Sequence, residues 1–114
     1  MEESIFDTSE LIELRKSGEL KAEGYTTILN LTEFPKGVEF EQLKVLYPTR
    51  DDYDSALIWS AKLLEIGKPV PATDLIISAI STRTGLELVT RDAHFKTIRI
   101  VAKDLKLQIN RKAS

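Results

Sequence analysis

The apolar and polar positions divide the chain into short segments that alternate between two periods. Ser4 to Phe6 is a brief apolar stretch ending at Asp7, and Leu11, Ile12 and Leu14 then recur on one helical face closed by Gly18. A strand followed by a helix is expected there. Tyr25 to Leu29 is β-branched and apolar and predicts a second strand. It runs into Asn30-Leu31-Thr32-Glu33, which has the form of a capping segment, while Pro35 and Gly37 limit any helix to about one turn. Phe40, Leu43 and Leu46 are spaced for a short helix that stops near Pro48.

Asp51 and Asp52 are candidate caps for the longest helix. Its stripe runs through Tyr53, Ala56, Leu57, Ser60, Ala61, Leu63 and Leu64 to Gly67, with Trp59 off it. Beyond a bend at Pro69 and Pro71, the residues Leu75, Ile76, Ile77, Ala79 and Ile80 predict a helix apolar on most sides and ended by Gly85, hence central to the core. Leu86, Leu88 and Val89 predict a strand entering Thr90-Arg91-Asp92, and Ile98, Ile100 and Val101 predict another. Within residues 103–114, Leu105, Leu107 and Ile109 alternate as an edge strand would.

Strands alternating with helices place the chain in the α/β class, as a three-layer α/β/α sandwich around a mainly parallel sheet, with residues 1–114 forming one domain. In open sheets of this kind a functional site lies beyond the carboxyl ends of the strands. Composition narrows its chemistry. There is no cysteine, so disulfides and thiolate sites are excluded and a metal must be held by oxygen or by the single histidine, His94. The apolar runs are far shorter than the roughly 18 residues a membrane span needs, and Glu2 and Glu3 are unlike the start of a secretory signal. A cytoplasmic protein is expected. The net charge of −2 is uneven: residues 1–54 carry 13 acidic and 6 basic side chains, whereas residues 83–114 carry 3 acidic and 8 basic. Arg83, Arg91, Lys96, Arg99, Lys103, Lys106, Arg111 and Lys112 form either a solvated surface or a footprint for a polyanion.

Asp7, Glu33 and Asp92 each follow a predicted strand, and Asp74 opens the central helix. Taken singly, each has a plain structural use, because an acid at a helix N-terminus accepts free N–H groups and faces the favourable end of the dipole. Asp7 with Glu10, and Asn30 with Glu33, have capping-box spacing. Taken together they differ from caps, since capping does not require turns from separate parts of the chain to converge. Four carboxylates at one edge raise one another's pKa, and divalent cations would relieve the repulsion. An all-oxygen set suits magnesium or manganese, and paired ions of this kind promote in-line attack on phosphodiesters.

The segments Phe6-Asp7-Thr8-Ser9, Leu31-Thr32-Glu33-Phe34, Pro71-Ala72-Thr73-Asp74-Leu75-Ile76-Ile77 and Val89-Thr90-Arg91-Asp92-Ala93-His94-Phe95 resemble, in that order, the PIN-domain family and its VapC-like toxins in particular. The resemblance covers nearly the whole chain. It implies an endoribonuclease dependent on Mg2+, with Mn2+ as an alternative, whose catalytic metal ligands are Asp7, Glu33, Asp74 and Asp92. Ser9 and Thr90 match supporting polar positions. It further implies hydrolysis to a 5′-phosphate and a 3′-hydroxyl without a side-chain nucleophile, an RNA substrate, an antitoxin protein partner and a homodimer.

Two departures from the family pattern bear on these expectations. The stretch between Glu33 and Asp74 is short, which affects partner contacts, and His94 stands where a further acid often follows the last aspartate. The imidazole suits phosphate binding, proton transfer or plain surface exposure. Lys36, Arg91 and Lys96 are candidate contacts to an RNA backbone, while Tyr53 and Trp59 read as packing or dimer contacts. A housekeeping RNA-processing nuclease and a catalytically silent scaffold are the alternatives within the same fold. Haloacid-dehalogenase-like phosphatases and receiver domains fit less well, since Asp7 is followed by Thr8 and Ser9 rather than by Asp-x-Asp, and there is no glycine-rich phosphate loop.

Overall fold

The computed structural model describes residues 3–111. Five strands, β1 (Ser4–Phe6), β2 (Gly24–Thr27), β3 (Leu43–Leu46), β4 (Glu87–Thr90) and β5 (Leu107–Ile109), form one sheet in the order β3-β2-β1-β4-β5. Every pairing is parallel, with Ile5 opposite both Tyr25 and Leu88, Thr26 opposite Val45, and Val89 opposite Gln108. Parallel strands require crossovers, and these are supplied by α1 (Thr8–Lys16), α2 (Ile28–Glu33), α3 (Arg50–Glu65), α4 (Ala72–Thr84) and α5 (His94–Ile98). The result is a PIN-like α/β/α fold, as expected, with a sheet wholly rather than mainly parallel.

The main core lies between the sheet and α3, α4 and α5. Ile5 and Leu88 meet Leu63, Leu75, Ile77, Ile80, Phe95 and Ile98 there, all fully or almost fully buried. Each such side chain contributes about 1.5–3 kcal/mol of apolar burial. α4 is the central helix that its sequence predicts, with a run of buried positions from Ile77 to Ser81 and a left-handed cap at Gly85 (φ 73°). A smaller cluster sits where α1 meets a 3-10 turn over Pro35–Glu39. A Cβ on Gly37 would come within 2.7 Å of Leu31 Cδ2 and 3.4 Å of Leu11 Cδ1, so a larger residue there would require the Leu31 side chain to move. No helix among the described residues is long and apolar enough to cross a membrane.

Several local expectations are corrected. Residues 43–46 form strand β3 rather than part of a helix, because they pair in register with Gly24–Thr27 along the open edge of β2. Ile98, Ile100 and Val101 form no strand. Ile98 ends α5, and a turn follows in which Val101 N–H donates to the Ile98 carbonyl. Buried Phe95, Ile98 and Ala102 show that this stretch follows the helical period. β2 ends at Thr27, which caps α2 through a capping box with Asn30, so Asn30 is the third residue of the helix and not its cap. In α3 the cap is Thr49, with Asp52 completing its box. That helix buries Asp52, Ala56 and Leu63, and it packs Trp59 against the core while Tyr53, Leu57 and Leu64 of the expected stripe face outward. Lys112 lies outside the described residues.

Candidate active site at the strand switch

Neighbouring strands β1 and β4 lead to crossovers on opposite sides of the sheet, and the crevice beyond their carboxyl ends is where such a sheet accommodates a ligand. The ladder runs up to this point, with Asp7 N–H donating to the Val89 carbonyl at 2.9 Å. Asp7 is buried at the N-cap position of α1, yet its carboxylate does not make the usual capping bond to an N–H of the second or third helical residue. Oδ2 instead accepts from Thr90 Oγ1 at 2.7 Å and from Ser9 Oγ at 3.3 Å, and Oδ1 accepts from Asn30 Nδ2 at 2.8 Å. The capping box expected between Asp7 and Glu10 is therefore absent, and Glu10 is used elsewhere. Burial pushes the Asp7 carboxyl above its ordinary range, against the opposing pull of bonds from Thr90, the Thr8 N–H, Asn30 and Ser9.

Thr90, fully buried at the end of β4, links two acids. Its hydroxyl donates to Asp7 and accepts from the Asp92 N–H at 3.0 Å, fixing the turn that carries Asp92. Ser9 reinforces this turn by accepting from the Arg91 N–H at 2.9 Å. Arg91 itself turns to the buried Glu10, 2.9 Å away, and Glu10 also accepts from Asn110 Nδ2 at 3.2 Å.

Asn30 is a site residue that sequence reasoning passed over. It is fully buried, and its Oδ1 accepts from Thr27 Oγ1 at 2.7 Å, which leaves Nδ2 aimed at Asp7 and at Thr8 Oγ1, 3.0 Å away. Thr8 passes the chain of bonds on to Glu33 Oε1 at 2.9 Å. The signal for Asn30 in the sequence is the Thr27-x-x-Asn30 spacing of a capping box. Glu33 is the last residue of α2, at its exposed end and six positions beyond β2 rather than directly after it.

Asp74 lies in the first turn of α4, with its side chain 13% exposed. Its pKa is raised to about 7, first by burial and then by the charges of Asp7 and Asp92, with a further rise from Glu33 and an opposing effect of His94. Asp74 thus feels the charge of the other three acids, while among the described residues it is Asp74, Asp92 and His94 that bring ligand atoms within 4.8 Å of one another. Asp92, 40% exposed, accepts the His94 N–H at 2.9 Å. The imidazole Nδ1 of His94 stands 3.4 Å from Asp92 Oδ1 and 3.6 Å from Asp74 Oδ2. Among the described residues no lysine or arginine pairs with any of the four acids, because Arg15, Lys16, Arg83 and Arg91 pair with Glu39, Glu13, Asp52 and Glu10. Oxygen donors gathered at the ends of the strands, with no lysine or arginine paired to them among the described residues, fit a hard divalent cation.

No protein-family model matches the chain, and no curated protein sequence does. Solved structures do. A chain in VapBC-1 from nontypeable Haemophilus influenzae is 21% identical, with a TM-score of 0.75 over 93% of this chain and 96% of that one. The DNA-bound VapBC of Salmonella typhimurium contains a chain 19% identical, with a TM-score of 0.73 over 96% of this chain and 98% of that one. VapBC-5 of Mycobacterium tuberculosis, from the VapBC family of toxin-antitoxin systems, gives 21% identity and a TM-score of 0.69 over 97% and 99%. The fold is thus shared end to end at low identity.

Proposed function

We propose that this chain is a metal-dependent endoribonuclease, the VapC-like toxin of a toxin-antitoxin pair. The observation that carries the reading is the setting of Asp74, which feels the charges of Asp7, Asp92 and Glu33 and has ligand atoms of Asp92 and His94 within 4.8 Å, with no lysine or arginine paired to any of these acids among the described residues. The shared fold with chains of toxin-antitoxin complexes supports it.

Asp7, Asp74, Asp92 and Glu33 would hold Mg2+ or Mn2+. When bound, such an ion neutralises phosphate charge and makes water more acidic. The chain's own groups set the geometry. Thr90 and Asn30 grip opposite oxygens of Asp7 and prevent its carboxylate from rotating. Glu33 accepts from Thr8 at Oε1, which ties its carboxylate to the chain of bonds that runs through Asn30 to Asp7. Water attack on phosphorus with departure of the 3′ oxygen yields a 5′-phosphate and a 3′-hydroxyl. Lys36 and Lys96, both exposed, are suited to contact the RNA backbone.

The same reading includes a homodimer. Tyr53, Leu57, Ile58 and Leu64 leave much apolar surface on α3, and a groove of about 220 Å3 between α3 and α4 is lined by Tyr53, Leu57, Ala72 and Ile76. A surface of this kind suits a second copy.

The test is cleavage of single-stranded RNA by purified protein with Mg2+ or Mn2+, with and without EDTA, beside Asp7→Asn and Asp92→Asn. Activity is expected only with the metal and only in the wild type. Full cleavage in EDTA, or in both variants, would sink the assignment, and RNA binding without cleavage would favour the silent scaffold.

A further inference from the structure

We infer that His94 is a nitrogen ligand of the metal held at this site, so that the centre prefers a first-row transition ion to Mg2+. This rests on the functional reading above, which assigns the metal to carboxylates alone. Asp74, Asp92 and His94 each present one ligand atom, all within 4.8 Å of one another. Asp74 lies in the first turn of α4, Asp92 in the link after β4 and His94 at the start of α5, and the convergence is thus made by the tertiary fold. For ligand bonds of about 2.1 Å, adjacent donors around an octahedral ion stand about 3 Å apart and opposite donors about 4.2 Å apart. The Nδ1 separations of 3.4 and 3.6 Å from the two carboxylates are within a few tenths of an ångström of the adjacent spacing.

The His94 side chain is 57% exposed, so a small closure toward the carboxylates meets little steric resistance. Asp92 is already oriented toward this point, its Oδ1 held by the His94 N–H at 2.9 Å. An imidazole changes the selectivity of such a site. Mg2+ takes oxygen donors and gains little from nitrogen, whereas Mn2+ and the later divalent ions bind imidazole with increasing strength.

His94 is the single histidine of the chain, so its imidazole nitrogens can be observed without ambiguity. The full-length protein would be titrated with Zn2+ while the 15N imidazole resonances are followed, and with Mn2+ and Mg2+ separately by calorimetry. His94→Ala, Asp7→Asn and Asp74→Asn would be titrated in parallel. The expected result is a large displacement of the Nδ1 resonance on Zn2+ addition and a loss of about tenfold in Mn2+ affinity in His94→Ala, with Mg2+ affinity changed less than about twofold. An unmoved Nδ1 resonance, or equal losses for the two ions, would overturn the inference. If the aspartate variants lose metal and His94→Ala does not, the carboxylate site stands and the imidazole ligand is wrong. If the wild type takes up no ion saturably, the functional reading falls together with the inference.

Discussion

The hydroxyl of Thr90 donates to Asp7 Oδ2 at 2.7 Å and in the same geometry receives the N–H of Asp92 at 3.0 Å, so one buried side chain sets two acids that are 85 positions apart in the chain. Thr90→Val keeps the shape and removes both bonds. It is predicted to cost about 1–3 kcal/mol of stability, because buried polar groups lose their partner. RNA cleavage should fall about tenfold or more, while Thr90→Ser should retain most of both. Urea melts and single-turnover cleavage check this, and a Thr90→Val variant as active as wild type would remove the positioning role.

Asp74 gives the metal-free protein a distinctive pH response. Its folded pKa is raised from 3.8 to about 7, so the folded state binds this proton more tightly than the unfolded chain does. The contribution to stability is complete below 3.8 and is lost as pH rises through about 7. In EDTA, stability should therefore decline between these limits, and Asp74→Asn should flatten the decline. The gain at pH 8 should be on the order of 1–3 kcal/mol. Denaturant melts at pH 5 and pH 8 provide the measurement, and parallel wild-type and variant profiles would contradict it.

Added Mg2+ or Mn2+ should reverse that trend, since the ion competes with the proton for the same carboxylates. Its stabilisation should be larger at pH 8 than at pH 5 and absent in Asp7→Asn. Thermal shift with a metal titration at the two pH values will reveal this, and equal shifts at both would argue against binding by the acidic cluster.

Asp52 is buried at the start of α3 and meets the Arg83 guanidinium at 2.9 Å. Burial pushes its carboxyl upward, but bonds from Arg83 and Thr49 outweigh that and hold it below the ordinary value. The stabilisation is present above pH 3.8 and is lost as pH falls through the lowered value. Arg83→Met leaves a buried carboxylate without its partner and should cost about 1–3 kcal/mol, moderated by solvent around the partly exposed guanidinium. Chemical denaturation at pH 7 tests it. The loss should shrink as pH falls through the lowered value, where Asp52 becomes protonated.

Leu57 is 70% exposed on the outer face of α3. If that face meets a second copy, Leu57→Asp should convert a dimer into a monomer at micromolar concentration while leaving the circular dichroism spectrum unchanged. Light scattering measures the mass directly. A wild type that is monomeric at every concentration would refute the association.

The helix over Ala72–Thr84 and the strand leading to Thr90 were legible because their patterns are clear: a run apolar on most sides, and Leu86, Leu88 and Val89 running into Thr90-Arg91-Asp92. Phe40, Leu43 and Leu46 fit a helical spacing as well as a strand, and the deciding factor was the free edge of β2, which no local pattern encodes. The Ile98–Val101 stretch was misread for the same reason, since its period shows only when Phe95 and Ala102 are known to be buried with Ile98. The four acids could be proposed from sequence as a set, and Ser9 and Thr90 followed from resemblance. Asn30 could not, because its orientation comes from Thr27 and its purpose from Asp7, 23 residues earlier.

The pairing of β1 with β4 also governs when the centre can exist. Asp7 and Thr90 are separated by 83 residues, and Asn110 closes on Glu10 across 100. Contacts of such high order carry a large loop-closure entropy, which must be met before they give any return, so they form late in folding. A collapsed intermediate with its helices in place would still hold Asp7 and Asp92 far apart. Activity and global folding should then appear together in a refolding time course, and no partly folded form of the chain should cut RNA.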